Sequence, residues 1–312
     1  MGKRNKKGDP ISGWVNLDKP YGITSTQAVG KVRRLLNAQK VGHAGTLDPL
    51  ATGVLPIALG EATKTIPFVQ DDEKTYHFTV TWGEQRTTDD MEGDIVASSD
   101  KRPTEEQIAA LLPEFTGEIE QTPPQFSAIK IDGQRAYDLA RAGQEVEIKS
   151  RIVTINKLEL LDTRKHEADF EMTCGKGTYV RSLARDMGKI LKCFGYVSAL
   201  RRTQVGCFTD ENAIILDIIE KMDYVSARSE ALLPVQTVLD DIPALALTQE
   251  ETAKIRSGQS LEFISRPNYE RLSAVGLGTK ETQTALLLFH DEPVALAEQV
   301  FAQIKPVRVF NL

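Results

Sequence analysis

Between Thr75 and Trp82 the chain alternates without a break, with Tyr76, Phe78, Val80 and Trp82 on one face and Thr75, His77, Thr79 and Thr81 on the other. A sustained period of two predicts a strand buried on one side only. Gly13–Leu17, Ile152–Leu161, Ala168–Cys174 and Val197–Phe208 read as further strands. Helical patterns fall between them at irregular intervals. Thr24 with Gln27 forms a capping box that opens a helix to about Leu36, and Thr104 with Gln107 opens another to about Leu112. Thr178 opens a third, in which Val180, Leu183, Ala184, Met187, Ile190 and Leu191 recur at helical spacing and Arg181, Arg185 and Lys189 form a basic row. Asp210 caps a fourth, to about Met222. Strands and helices that do not alternate suit an α+β fold with a mixed, largely antiparallel sheet better than a doubly wound one.

The 312 residues exceed one average domain. Residues 1–9 read as a basic flexible tail and 10–247 as the main domain. Inside it, Gly42–Gly53 reads as an ordered loop or a short helical turn, and Thr87–Gly93 as an acidic, turn-rich loop. Pro123-Pro124 breaks the chain; Phe126–Ile131, Asp132-Gly133 and Gln134–Arg141 then read as strand, turn and helix, an insertion at about 124–151. The texture changes after Val238. Residues 248–312 read as a small, mostly-β module, with a helix capped by Thr248 and Glu251 and stopped at Gly258, and strands around Ser273–Val275, Ala285–His290 and Pro293–Ala297.

No apolar run approaches the roughly 20 residues that span a bilayer, and the basic N-terminus has no apolar stretch behind it, so neither a membrane protein nor a secreted one is expected. The 3 cysteines and 4 histidines are scattered, without disulfide-framework, zinc or haem spacing. The expectation is a cytoplasmic protein with no bound metal. Net charge is −6, but it is uneven. Residues 1–50 carry +6, 51–150 carry −10, 151–202 carry +5 and 203–312 carry −7. Two basic blocks split by acidic sequence form a positive groove if the fold unites them, and are otherwise merely solvated.

Asp48 lies among small residues in Gly42-His43-Ala44-Gly45-Thr46-Leu47-Asp48-Pro49-Leu50-Ala51-Thr52-Gly53. Local pattern leaves two readings open: a nucleophile or base on a fixed loop, or a turn aspartate ahead of proline. The glycines do not match a P-loop, since no G-K-[ST] follows at the required spacing. His43 reads either as a solvated ring or as a wedge against a nucleic-acid base. Tyr76 reads as a core tyrosine, Leu200 as core, and Arg181 either as a surface charge or as the partner of a buried carboxylate.

Several segments then stand in a telling order: Gly13-Trp14-Val15-Asn16-Leu17-Asp18-Lys19-Pro20-Tyr21-Gly22-Ile23-Thr24-Ser25, the loop around Gly45-Thr46-Leu47-Asp48-Pro49, Lys74-Thr75-Tyr76, Pro123-Pro124-Gln125-Phe126-Ser127-Ala128, Gly177-Thr178-Tyr179-Val180-Arg181-Ser182-Leu183 and Leu200-Arg201-Arg202-Thr203. Over residues 13 to about 210 the chain closely resembles the TruB family of tRNA pseudouridine synthases, and its C-terminal module resembles that family's PUA-like RNA-binding module. The resemblance implies a pseudouridine-synthase-type catalytic domain that isomerises a uridine of the tRNA T-loop (position 55) after flipping it out. It implies Asp48 as nucleophile, Arg181 as its ionic partner and Tyr76 stacked on the base. Tyr179, Leu200, His43 and Lys19 would contact the substrate, and the insertion would clamp the T-arm. No cofactor, metal or guide RNA is implied, and the chain is expected to act as a monomer.

Overall fold

The computed structural model describes residues 8–127, 130–131, 134–135, 148–278 and 280–312. Its first part contains β1 (Gly13–Lys19), α1 (Ser25–Leu35), β2 (Val41–His43), β3 (Thr52–Leu59), α2 (Ile66–Asp71), β4 (Lys74–Trp82), β5 (Glu84–Arg86), β6 (Ile95–Ser98), α3 (Glu105–Leu111) and β7 (Gly117–Gln121). Next come β8 (Lys130–Ile131), β9 (Gln134–Arg135), β10 (Arg151–Thr163), β11 (Glu167–Cys174), α4 (Val180–Ile190), β12 (Gly195–Val205), β13 (Phe208–Thr209), β14 (Ile214–Ile215), α5 (Leu216–Lys221) and α6 (Tyr224–Ala231). The C-terminal part holds β15 (Ala244–Ala246), α7 (Gln249–Arg256), β16 (Leu261–Glu262), α8 (Arg266–Ala274), β17 (Thr282–Phe289), β18 (Glu292–Val300) and β19 (Gln303–Val309).

The large sheet runs β14-β1-β3-β12-β4-β11-β10-β7, with β2 paired to β3 and β13 to β12. Most pairings are antiparallel; β12 runs parallel to β3, and β1 to β14. The fold is thus α+β with a mixed, largely antiparallel sheet, as the sequence pattern predicts. A second sheet, β15-β17-β18-β19-β16, forms the C-terminal β module and takes in Ala244–Ala246.

Alternation along the strands sends apolar side chains to both faces of the large sheet. On one face lie two apolar clusters. Phe78, Val80 and Phe170 pack with Leu183, Ala184 and Met187 of α4. Val15, Leu17, Leu55 and Ile57 pack with Ala28 and Val32 of α1 and Leu216 of α5. Each of the larger of these side chains, Val, Leu, Ile, Phe and Met, contributes about 1.5–3 kcal/mol. Tyr76 and Leu200 pack against both clusters and so mark the seam between them. On the opposite face Trp14, Val54, Ala58 and Phe208 pack with Leu286, Leu296 and Phe310, which seats the second sheet on the back of the first.

Several local expectations need correction. Thr52 and Gly53, read as the end of the loop, open strand β3, which is buried along nearly its whole length and so lacks the alternation that betrays a strand. Val41–His43 is a strand as well, which confines the loop to Ala44–Ala51. Thr178 does not cap α4; its hydroxyl donates to the Gly175 carbonyl, and the helix begins at Val180. Asp210 does not cap the helix that ends near Met222: its carboxylate pairs with Arg201 at 3.2 Å, the helix starts only at Leu216, and a further helix, capped by Asp223, follows it. Ser273–Val275 closes helix α8 and is no strand, because Pro267 favours a helix start at Arg266. Gln134–Arg135 is a strand paired with Lys130–Ile131; the rest of the expected helix lies outside the described residues. Among the described residues no helix is long and apolar enough to cross a membrane.

Where β3 meets β12, Gly53 has φ +98°, and a Cβ there would lie 2.2 Å from the Arg202 carbonyl oxygen. Gly53→Ala is expected to destabilise the fold by at least about 2 kcal/mol, through left-handed strain plus the forced separation of two backbones. Thermal or urea unfolding checks this.

Candidate active site

The loop Ala44–Ala51 is held by its backbone. Ser25, buried at the start of α1, accepts from the Leu47 N–H at 2.8 Å and donates to the Leu47 carbonyl at 2.9 Å. Gly22 N–H donates to the Pro49 carbonyl at 2.9 Å, and Ala51 N–H closes a turn on the Asp48 carbonyl at 3.1 Å. Two fully buried cations grip the same loop. Lys19 Nζ donates to the carbonyls of Pro20, Ile23 and Pro49 at 2.9, 2.8 and 3.3 Å. Arg202 donates to Val54 and Gly45 at 2.8 and 3.1 Å. Burial pushes the Lys19 ammonium down to about 8, against the opposing pull of the Asp48 carboxylate. Lys19, expected to touch substrate, is therefore placed under the loop, with its charge turned inward.

Nothing in this scaffold uses the Asp48 side chain, which is 37% exposed and projects into a cleft with Asp90, Arg181 and Val197–Leu200. Arg181 comes from the first turn of α4, whose opposite stripe is apolar, and its side chain is only 6% exposed. Its Nε lies 2.9 Å from Asp48 Oδ2, and its Nη1 lies 3.5 Å from Asp90 Oδ2. The Nε–H is not aligned on that oxygen, so the contact with Asp48 is an ion pair and not a directed hydrogen bond. Nη1 and Nη2 donate to the carbonyls of Thr88 and Phe126 at 2.8 and 3.0 Å. One buried guanidinium thus serves two carboxylates and is itself fixed by two backbone oxygens, so a positive charge of fixed position stands beside Asp48.

One turn further along α4, Arg185 pairs with Asp89 at 2.9 Å and donates to the Thr122 carbonyl at 2.8 Å. Arg181 and Arg185 of the basic row are consequently internal, with counter-ions from the acidic loop Thr87–Gly93, while Lys189 is exposed. Asp89, Asp90, Arg185 and Arg202 escape the sequence reading. The available signal was the two adjacent carboxylates set against an i, i+4 pair of arginines. Burial pushes the Asp89 carboxyl up to about 6, against the pull of Arg185. The folded chain then keeps this proton to higher pH than the unfolded chain, whose carboxyl titrates near 3.8. Relative to Asp89→Asn, stability is fully present below about pH 4 and falls as the pH rises through 6, by up to about 3 kcal/mol. Unfolding midpoints of both proteins between pH 4 and 7 test this.

The remaining sequence candidates stand around the cleft in different ways. Leu200 lines it. Tyr76 sits at the seam of the two apolar clusters, where burial pushes its phenol pKa up and keeps the hydroxyl protonated. Tyr179 caps the start of α4, its N–H donating to Gln121 at 2.8 Å and its ring lying 5.2 Å below the Arg151 guanidinium. His43 ends β2, where burial lowers its pKa and leaves the ring neutral at pH 7. Neither His43 nor Tyr179 lines the cleft between Asp48 and Leu200. Among the described residues no cluster of three or more His, Cys, Asp or Glu is arranged to hold a metal ion.

The model of the TruB family pseudouridylate synthase N-terminal domain matches residues 33–180, and that of the tRNA pseudouridylate synthase B C-terminal domain matches residues 181–240. Among curated relatives, tRNA pseudouridine synthase B of Caulobacter sp. (strain K31) is 53% identical over 312 residues, 99% of each chain. The enzyme of the same name from Bradyrhizobium diazoefficiens is 54% identical over 308 residues, 97% of this chain and 86% of the relative. Among solved structures, a Cbf5-Nop10-Gar1 complex contains a chain that superposes with a TM-score of 0.70 at 26% identity, covering 96% of this chain and 85% of that one. A loop-borne carboxylate paired to a buried arginine, at the seam of a mixed sheet, thus comes with family matches on both sides of it, and the chain belongs to the TruB family of pseudouridylate synthases.

Proposed function

We propose that the chain converts uridine to pseudouridine in the T-loop of tRNA, at position 55, with Asp48 as the nucleophile. The observation that carries this is the Asp48 carboxylate, open to solvent at 37% exposure yet paired with the nearly buried Arg181. The reaction breaks the bond between ribose C1′ and uracil N1 and joins C1′ to C5. The C5 proton leaves and N1 gains one, so atoms and electrons balance without an oxidant or reductant. A carboxylate can open such a route by attack at C1′, by addition to the base, or by removing a ribose proton. All three need it unobstructed, and the fixed positive charge of Arg181 stands beside it.

The uridine must leave its stack to reach a carboxylate set into a cleft. Tyr76 and Leu200, at the seam beside Asp48, offer an apolar surface for the flipped ring. Tyr179 bounds the site from the start of α4, and His43 supports the vacated stack. The insertion clamps the T-arm, the C-terminal module adds RNA contacts, and the chain works in the cytoplasm as a monomer without a guide RNA. Tritium release from tRNA carrying C5-labelled uridine, with purified chain and nothing added, tests this. Release of one label per tRNA is the expected result. Binding without release would turn the reading toward an RNA-binding protein, and release only with an added RNA toward a guided synthase.

A further inference from the structure

Helix α1 presents a solvent-facing side that packs against no other element along most of its length. Gln27, Gly30, Lys31 and Arg34 succeed one another along it at helical spacing, and with Asn37 they line an open groove of about 700 Å³. The helix carries three cations, Lys31, Arg33 and Arg34, and no acidic residue. Arg33 is engaged at the helix end, donating to the carbonyls of Ala38 and Gln39, both at 3.2 Å. Lys31 meets Glu220 at 3.4 Å with both side chains well exposed, a contact that water screens. Arg34 is exposed, and its side chain makes no hydrogen bond or ion pair among the described residues.

Gly30 adds an independent observation. Glycine inside a helix is less stable than alanine. Yet a Cβ at Gly30 would meet nothing within 4 Å, so no neighbour inside the protein requires a bare backbone there. The bare backbone leaves room for a partner to come close against the helix from outside. The face also has a direction. α1 starts at Ser25, whose hydroxyl clamps Leu47 beside Asp48, and its eleven residues rise about 16 Å away from the catalytic loop.

We infer that this face of α1 is a phosphate track. It carries the RNA backbone of the same tRNA outward from the catalytic cleft, with Lys31 and Arg34 neutralising phosphates and Gly30 letting the sugar–phosphate chain come against the helix. The inference rests on the proposed tRNA substrate. The test is filter binding of unmodified tRNA to the full chain across a salt series, alongside tritium release by the wild type. In Lys31→Gln/Arg34→Gln the slope of log K against log salt falls by about 1.4–1.8, at 0.7–0.9 per lost phosphate contact, and affinity at 0.1 M salt falls by about tenfold or more. Gly30→Leu keeps every charge; it weakens tRNA binding severalfold while the melting temperature does not fall. Affinity and slope like those of the wild type in the double variant, with the wild type active on tRNA, would overturn the track and leave the proposed function standing. A wild type that neither binds nor modifies tRNA would overturn both.

Discussion

Asp48→Asn is expected to stop turnover, by at least about 10⁴-fold, while changing tRNA affinity less than about threefold. The asymmetry follows from how the loop is built. Ser25, Gly22, Lys19 and Arg202 hold it through backbone atoms of Leu47, Pro49 and Gly45, and none of these bonds uses the Asp48 carboxylate. Asparagine keeps the shape of the side chain and removes the charge and one carboxylate oxygen, so the shape of the cleft is kept. Tritium release and filter binding on the same preparation separate the two effects. Turnover within tenfold of wild type would remove Asp48 from the chemistry.

Arg181→Met has the larger structural effect. It leaves Asp48 and Asp90 sharing one cleft with no cation between them and takes a donor from the carbonyls of Thr88 and Phe126. Asp90, only 10% exposed, is left without its cation while Asp48 can turn to water, and the variant is expected to melt below wild type. Arg181→Lys separates charge from geometry. An ammonium restores a positive charge but cannot reach two carboxylates and two carbonyls from one plane. It should recover much of the stability while single-turnover rates stay down by roughly 10²-fold. Wild-type rates in Arg181→Lys would mean that the guanidinium serves stability alone.

Legibility in the sequence followed solvent exposure. β4 was readable because one face is wet, so that Thr75, His77, Thr79 and Thr81 alternate with apolar residues. The capping boxes of α1, α3 and α7 were readable because their bonds are local, between residues three apart. β3 was not, since a strand covered on both faces shows only an apolar run, here interrupted by Pro56. The same division holds at the site. Asp48 and Arg181 were found through their motifs, and the ion pair between them is present. Asp89 and Asp90 looked like a solvated turn, because nothing local distinguishes a carboxylate facing water from one facing Arg181 and Arg185 across the fold. Lys19 was named through the resemblance alone, and nothing local showed that its ammonium satisfies three backbone carbonyls inside the protein.

The seam where Tyr76 and Leu200 meet both apolar clusters has a consequence for how the chain acquires activity during folding. Each cluster gathers its own helices on its own stretch of sheet, and the two are joined through β12, which pairs with β3 on one side and β4 on the other. That junction closes long loops; Arg202 on β12 reaches Gly45 across 157 residues of chain. Pairings of such separation form late and slowly, because loop entropy is lost before contacts compensate for it. Helical signal should therefore return early in refolding, and catalytic competence only with the final step that unites the two halves of the core.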